Sequence, residues 1–134
     1  MNYWLVKSEP TVYSWNDLRT DKETVWDGVR NYAARLHLNG MKLNDQVLFY
    51  HSNTGLAVQG IAKVSKTSYQ DPSTDDERWV AVKLKPYKDL KREVSLSAMK
   101  KEKKLQNIGL IRIGRLSVMP LTKDEFDLIV KMGS

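Results

Sequence analysis

The chain has 134 residues, which suits a single domain, and its lack of cysteine excludes a disulfide framework, a thiol nucleophile and a cysteine-based zinc site. Lys and Arg number 22 against 16 for Asp and Glu, and the resulting formal charge of +6 favours a polyanionic partner such as nucleic acid. No apolar run reaches the length of a membrane span, so we expect no membrane association and a soluble protein, cytoplasmic in a bacterium or nuclear in a eukaryote.

The amino-terminal segment predicts a strand followed by a short helix. Residues 3–6 form a compact run of β-forming side chains, and Pro10 ends this extended segment because proline lacks a backbone donor. Ser14 has an acidic residue three positions later, which is the pattern of a helix-capping box. We therefore expect a short helix that leads into Leu18 and Arg19.

The segment after Gly28 predicts a second helix of about two turns, because its apolar residues have helical spacing as far as Gly40. The amino end of this helix would lie beside residues 27–29, where free backbone N–H groups can meet an anion. Asn31 and Arg35 could contact base edges and phosphates there. Alternatively, Asn31 caps the helix and Arg35 forms a surface ion pair.

The middle of the chain predicts three antiparallel strands. Residues 46–51 are a short, apolar run of β-forming residues, and residues 57–66 continue as the second strand of a hairpin. Gly60 in that second strand indicates a bulge or a close approach of another group to the backbone. Residues 70–77 are expected to form an exposed loop, and residues 79–84 alternate as a third strand.

The carboxyl-terminal third predicts shorter elements. Residues 88–104 indicate a short strand followed by a helix that begins at Ser95 or Ser97, and the lysines of this segment form either a solvated helix face or a surface that tracks phosphates. Residues 117–120 predict a brief strand, and Thr122 opens the last helix with a capping box. Mostly antiparallel short strands with three or four short helices indicate an α+β fold, either a small barrel or a strongly curved sheet.

Several aromatic and polar side chains have the chemistry needed to hold a flat ligand with polar edges. We expect Trp26, Tyr32 and Tyr50 to lie around that ligand, because stacking on an aromatic side chain contributes about 1–3 kcal/mol per base. Ser8 and Ser52, each just after a predicted strand, could form hydrogen bonds with a base from opposite sides. The other three tryptophans are expected in the core.

Patterns typical of catalysis are weak in this chain. His51 follows a predicted buried strand and is either a hydrogen-bonded structural residue or, with Glu9, the acid–base pair of a hydrolase or transferase acting on a modified nucleoside. Neither a His-Glu-x-x-His motif nor a Gly-x-Ser-x-Gly motif is present. We therefore expect a binding protein with no catalytic residue, metal or cofactor, and keep as the alternative a small enzyme or sensor that uses the same pocket.

Four motifs in succession resemble the EVE domain family. They are Tyr-Trp-Leu-Val-Lys-Ser-Glu-Pro at residues 3–10, Trp-Asp-Gly-Val-Arg-Asn-Tyr at residues 26–32, Phe-Tyr-His-Ser at residues 49–52 and Arg-Leu-Ser-Val-x-Pro at residues 115–120. The resemblance extends from Tyr3 to the last helix, so it implies one domain of this type over residues 1–134. It also implies a PUA-like pseudo-barrel, related to the YTH and ASCH domains.

The resemblance further implies a function. Members of this family recognise modified bases in DNA or RNA, among them 5-methylcytosine and its oxidised forms, so we expect a flipped-out or unpaired base in an aromatic-lined pocket. The ligand-binding residues implied by the motifs are Lys7, Ser8, Trp26, Val29, Arg30, Asn31, Tyr32, Tyr50, His51, Ser52, Arg115, Leu116 and Ser117. Arg35 and Lys42 are expected to contact the flanking backbone.

One departure from the family pattern bears on specificity. Many members have Gln-Ala-Arg after the Asn-Tyr pair, whereas this chain has Ala33-Ala34-Arg35, which removes an amide from that wall. We expect a monomer whose partner is nucleic acid carrying a modified base, and an effector protein is a further possible partner.

Overall fold

Six strands form one mixed β-sheet in the computed structural model, which describes residues 1–134. The strands are β1 (Tyr3–Ser8), β2 (Thr24–Trp26), β3 (Gln46–His51), β4 (Ala57–Gln70), β5 (Val80–Ser95) and β6 (Val118–Leu121). Their order in the sheet is β2-β5-β4-β3-β1-β6. Strands β1 and β3 pair in parallel and every other neighbouring pair is antiparallel, so the predicted α+β class with mostly antiparallel strands is confirmed.

Short helices connect the strands and cover the sheet. They are α1 (Trp15–Asp21), α2 (Tyr32–Gly40), α3 (Leu96–Lys101), α4 (Gly109–Arg112) and α5 (Lys123–Met132), with a 3-10 turn at Lys103–Leu105. The predicted capping boxes at Ser14 and Thr122 are both present, and Ser95 caps α3 as one of its two predicted starts. None of these helices is long and apolar enough to cross a membrane.

Strand β5 differs from the prediction. Residues 79–84 and the short strand expected after residue 88 are one continuous strand, because β5 pairs with β4 along most of its length. Lysines and Pro86 in its middle interrupt the apolar alternation, so the local pattern hides the continuity. The β4–β5 register shifts at several points, and such irregularities bend and twist a sheet as the predicted curvature requires.

Two features of the sheet have no local signal in the sequence. Strand β2 has only three residues, too few to show a period of two, and is defined by its pairing with Val82–Leu84 of β5. The parallel pairing of β1 with β3 joins segments about forty residues apart, with Tyr3 opposite Gln46. Both pairings place the end of β1 and the whole of β2 where a site can form between them.

The core is a single cluster of 30 buried residues. Trp4, Trp15 and Trp79 are 6%, 6% and 9% exposed, so all three tryptophans expected in the core are buried; Trp4 and Trp15 belong to this cluster, and Trp79 is buried outside it. Both predicted roles of Gly60 are also present. The β3–β4 register shifts beside it, and a Cβ atom at this position would collide with the indole of Trp15.

Candidate functional site

A large cavity lies where the end of β1, the segment before α1, and β2 with its following loop meet. Its volume is about 1030 Å³, at the upper end of the range of small-molecule sites. Its lining residues are Lys7, Ser8, Glu9, Val12, Tyr13, residues 23–31 and Ser117. We call this the Trp26 cavity. Charged and polar residues outnumber apolar ones on its wall, so it is less apolar than the aromatic-lined pocket expected from the sequence.

Two aromatic side chains form the flat part of this wall. The ring of Trp26 packs edge-on against Phe49 with ring centroids 5.6 Å apart, and Tyr13 packs edge-on against Trp26 at 6.5 Å. The hydroxyl of Tyr13 donates a hydrogen bond to Asp21 at 2.9 Å, and burial raises the pKa of this tyrosine. Trp26 is only half-buried, so its indole ring is held by the core yet remains accessible from the cavity.

Two small polar side chains on the wall keep part of their hydrogen-bonding capacity for a ligand. The hydroxyl of Ser8 donates to the carbonyl of Tyr13 at 2.5 Å, which leaves its oxygen free to accept. The side-chain oxygen of Asn31 accepts from the backbone N–H of Ala34 at 3.0 Å and caps α2, which leaves its amide nitrogen free to donate. The wall therefore offers both an acceptor and a donor.

A buried carboxylate fixes the loop between β2 and α2. One oxygen of Asp71 accepts hydrogen bonds from the backbone N–H of Gly28 at 2.8 Å and from the guanidinium of Arg30 at 2.9 Å. The other accepts from the backbone N–H and the hydroxyl of Ser73 at 2.7 and 2.6 Å. Burial disfavours the ionised form, but the hydrogen bonds from Ser73, Arg30 and Gly28 outweigh it and lower the pKa of Asp71 to about 2.

The loop predicted over residues 70–77 is mostly exposed, with Asp71 as its buried exception and Gln70 as the last residue of β4. The side chain of Asp71 is fully buried, because it satisfies donors from the distant segment that lines the cavity. Gly28 in that segment has φ of +74°, a left-handed conformation that favours glycine, and a Cβ atom there would meet nothing within 4 Å. The backbone angle, rather than crowding, therefore requires glycine at this corner of the cavity.

A second, smaller cavity of about 480 Å³ adjoins the first. The two share Lys7, Glu9 and Ser117 as lining residues. The second cavity is completed by Tyr50, Ser52, Asn53, Leu56, Leu96, Leu110 and Gly114. We call it the Tyr50 cavity. Tyr50 is 2% exposed, and burial raises its pKa. Trp26 and Tyr50, which sequence analysis placed around one ligand, thus line two adjoining cavities.

Lys7 lies between the two cavities. Its ammonium group donates a hydrogen bond to the carbonyl of Gly114 at 3.0 Å, and burial lowers its pKa. The backbone N–H of Lys7 also donates to the carbonyl of Ser117 at 2.9 Å, which joins the end of β1 to the loop before β6. Lys7 lines both cavities, so one cation lies beside each of them.

Nine of the thirteen predicted ligand-binding residues line one or both cavities. The Trp26 cavity contains Lys7, Ser8, Trp26, Val29, Arg30, Asn31 and Ser117, and the Tyr50 cavity adds Tyr50 and Ser52. Tyr32, His51, Arg115 and Leu116 line neither cavity, and Arg35 and Lys42 also lie outside both.

The residues outside the cavities have other surroundings. The ring nitrogen Nε2 of His51 accepts a hydrogen bond from the backbone N–H of Trp15 at 3.0 Å, and burial lowers the pKa of this histidine, although Glu93 opposes the effect. Leu116 is 3% exposed and belongs to the core, whereas Arg115 is exposed. Lys42 is exposed in the turn after α2.

Sequence reasoning did not identify Tyr13 or Asp71 as part of this region. Tyr13 has no distinctive neighbour in the sequence, and its contact with Trp26 joins the segment before α1 to β2, thirteen positions away. Asp71 precedes a proline in a polar segment and carries the pattern of an ordinary turn. Its contact with Arg30 spans 41 positions of the chain, which no local pattern can indicate.

Comparison with known proteins gives several full-length similarities. The EVE domain model matches residues 2–132. Thymocyte nuclear protein 1 of Mus musculus is 36% identical over 165 aligned residues, which cover 98% of this chain and 73% of that protein. The solved structure of the human THYN1 protein in complex with DNA containing 5-methylcytosine is 32% identical and has a TM-score of 0.93, covering all of this chain and 98% of that one.

A structure of much lower sequence identity shares the fold. The YTH domain of the Zygosaccharomyces rouxii MRB1 protein is 15% identical and has a TM-score of 0.59, and the comparison covers 99% of this chain and 86% of that one. At this identity the likeness concerns the fold alone. The PUA-like α+β fold expected from the sequence is confirmed.

Proposed function

This chain belongs to the EVE domain family, and we propose that it recognises a modified base in DNA or RNA by holding that base in the Trp26 cavity. The observation that supports this most is the human THYN1 structure, which matches the whole chain with a TM-score of 0.93 and contains DNA with 5-methylcytosine. The net charge of +6 is consistent with a polyanionic partner.

In this proposal a base leaves its duplex, or comes from an unpaired segment, and stacks against the exposed part of Trp26. Tyr13 bounds the site from the side. The free acceptor of Ser8 suits an exocyclic amino group such as that of cytosine, and the free donor of Asn31 suits a carbonyl or ring nitrogen on the same edge. The carboxylate of Asp71 holds Arg30 and the loop in position before the ligand arrives.

The modification itself requires a specific contact. Burial of one added methyl group is worth about 0.8 kcal/mol, or roughly a fourfold difference in affinity, so strong discrimination needs a polar contact as well. Ala33, which replaces the glutamine of many relatives, is exposed on α2 beside the cavity loop. Ala33 lines neither cavity, so we propose that the contact that selects the modification comes from the cavity wall itself.

We propose that Arg35 and Lys42 contact the phosphates that flank the bound base. Each phosphate contact releases counterions, so the logarithm of the binding constant should fall with the logarithm of salt with a slope of about −0.7 per contact for single strands. A free modified nucleoside lacks these phosphates. Its binding should therefore depend little on salt, which separates base recognition from backbone attraction.

We propose that the bound base leaves chemically unchanged. This proposal is supported by the separation of the two candidate groups: Glu9 lines both cavities, whereas His51 lines neither and accepts a backbone N–H bond at Nε2. This favours binding over turnover. Mass spectrometry of a modified oligonucleotide after prolonged incubation tests it, because any change in ligand mass would favour the enzymatic alternative.

The protein is proposed to act as a monomer where nucleic acid is present, in the cytoplasm of a bacterium or the nucleus of a eukaryote, with an effector protein as a further partner. Light scattering on the free protein and on its complex with an oligonucleotide tests the monomer. A mass of twice 15.5 kDa for the free protein would contradict it.

The central experiment is a titration of modified and unmodified DNA and RNA oligonucleotides at two salt concentrations. Trp26→Leu keeps bulk against Phe49 but removes the stacking surface, and should weaken binding of the preferred ligand about 5- to 150-fold. Tyr87→Ala is the control, since Tyr87 is 53% exposed and lines neither cavity. Unchanged affinity of the Trp26 variant for every ligand would exclude this cavity as the site.

A further inference from the structure

A second aromatic group lies outside both cavities and next to Arg30. The rings of Tyr32 and Trp79 pack with centroids 5.2 Å apart and planes 32° apart. The guanidinium carbons of Arg30, Arg35 and Arg78 lie 5.5, 5.9 and 5.9 Å from the centroid of Trp79. We call these five side chains the Tyr32 platform.

Tyr32 is the exposed part of this platform. It is 56% exposed although it covers Trp79, which is only 9% exposed, and the guanidinium carbon of Arg35 lies 5.2 Å from its ring centroid, so part of the ring remains open to another flat group. Its position is fixed by the protein, because Arg78 donates a hydrogen bond to its hydroxyl at 3.3 Å. Arg78 is itself fixed by Asp76 at 2.7 Å. A ring held in this way loses little conformational freedom when a ligand stacks on it.

The charge of the platform is only partly compensated. Arg30 pairs with Asp71, and Arg78 pairs with Asp76. Arg35 forms no ion pair with a carboxylate; its terminal nitrogen donates to the carbonyl of Arg78 at 3.1 Å, and its Nε is buried without a hydrogen-bond partner. The platform therefore joins an exposed aromatic ring to one uncompensated positive charge, a combination suited to a nucleotide.

The platform is continuous with the candidate site. Arg30 both lines the Trp26 cavity and stacks over Trp79, so the rim of the cavity is also the edge of the platform. A base that enters the cavity remains linked through its sugar and phosphate to the next nucleotide in the strand. That neighbouring nucleotide therefore lies outside the cavity, beside its rim.

We propose that the Tyr32 platform binds the nucleobase adjacent to the modified base, stacked on Tyr32, with Arg35 directed to the phosphate between the two nucleotides. This rests on the proposed function and extends it, because it makes affinity depend on the neighbouring base. Stacking accepts any base, and purines offer a larger flat surface than pyrimidines. The platform thus supplies affinity and a purine preference, while the cavity selects the modification.

The test compares Tyr32→Ala with the control Tyr87→Ala on oligonucleotides that carry the preferred modified base. Tyr87 is a suitable control because it is exposed to nearly the same extent, 53%, and its ring carries a stacked cation in Lys63, whose Nζ lies 3.8 Å from its centroid. Each oligonucleotide is made in two forms. In the intact form both nucleotides that flank the modified base carry their bases. In the abasic form one flanking nucleotide lacks its base but keeps its phosphate. Circular dichroism verifies that both variants are folded, and Tyr32→Phe, which keeps the ring but loses the hydroxyl that accepts from Arg78, should bind more tightly than Tyr32→Ala.

We expect Tyr32→Ala to weaken binding of the intact ligand about 5- to 150-fold, and Tyr87→Ala to leave it unchanged. When the abasic residue replaces the flanking nucleotide that stacks on Tyr32, wild type and Tyr32→Ala should bind equally. This should hold for only one of the two sides of the modified base. If Tyr32→Ala weakens binding of the intact and the abasic ligands by the same factor, the proposal that the platform binds the neighbouring base is overturned. If wild type prefers the modified ligand but Tyr32→Ala binds it normally, the platform is excluded and the cavity remains; if wild type shows no preference for any modified base, both proposals are overturned.

Discussion

Asp71→Asn is the substitution that tests the structural basis of the site most directly. It keeps the size of the side chain but replaces a buried carboxylate, which accepts four hydrogen bonds from Gly28, Arg30 and Ser73, with an amide. A pKa lowered from its ordinary value of 3.8 to about 2 corresponds to about 2 kcal/mol of folding free energy. We therefore expect the variant to be less stable than wild type by about 2 kcal/mol at pH 7.

The direction of the pKa shift of Asp71 determines how the stability difference between wild type and Asp71→Asn depends on pH. The pKa of Asp71 is lower in the folded than in the unfolded chain, so its contribution is complete well above pH 3.8 and is lost as pH falls toward 2. Urea unfolding at a series of pH values, followed by tryptophan fluorescence, measures it. The difference in unfolding free energy between wild type and Asp71→Asn should be constant from pH 6 to pH 8 and shrink progressively below about pH 5.

A matched control lies in the same loop. Asp75 is exposed and makes no ion pair or hydrogen bond, so Asp75→Asn changes the net charge equally without removing a contact. Its stability should stay within about 0.5 kcal/mol of wild type. The reasoning is refuted if Asp71→Asn loses no more stability than Asp75→Asn, or if its loss is the same at pH 3 as at pH 7.

Three further substitutions test individual parts of the fold. Gly28→Ala should cost about 1–2 kcal/mol of unfolding free energy, because φ of +74° is unfavourable for any residue with a Cβ; a neutral result in thermal unfolding would mean that the loop relaxes. Gly60→Ala should cost about 1–3 kcal/mol, because its Cβ would collide with the buried indole of Trp15, and full stability would show that this contact is not tight. Thr122→Ala should cost about 1 kcal/mol through loss of the cap of α5, whereas Thr122→Ser should not; equal unfolding midpoints for the two variants would contradict this role.

Elements with a signal inside their own sequence were predictable. The capping boxes at Ser14 and Thr122 combine two residues only three positions apart, and both are present. The strand at residues 46–51 was predicted with its observed bounds, since four consecutive β-forming apolar residues between Gln46 and His51 are a strong local signal. Four ordered motifs were enough to indicate the family, and nine of the thirteen ligand-binding residues that the family implied line one or both cavities.

Tertiary structure decided how those residues are divided. The motifs placed Trp26 and Tyr50 around one ligand; Trp26 lines the larger cavity, Tyr50 lines the smaller cavity that adjoins it, and the two cavities share Lys7, Glu9 and Ser117. Tyr32 belongs to the second motif, yet its packing on Trp79 places it outside the Trp26 cavity. A motif records which residues occur together, but not which side of a neighbouring strand each one faces.

The amino-acid sequence by itself determined the local elements, the core tryptophans and the family, because each depends on residues that are close along the chain or on a motif as a whole. The tertiary structure alone decided that the three residues of β2 form a strand, that β1 and β3 pair in parallel, and that Asp71 is buried beneath Arg30. The physical reason is that pairing and burial are properties of two segments together, and here the partners are about forty or more positions apart.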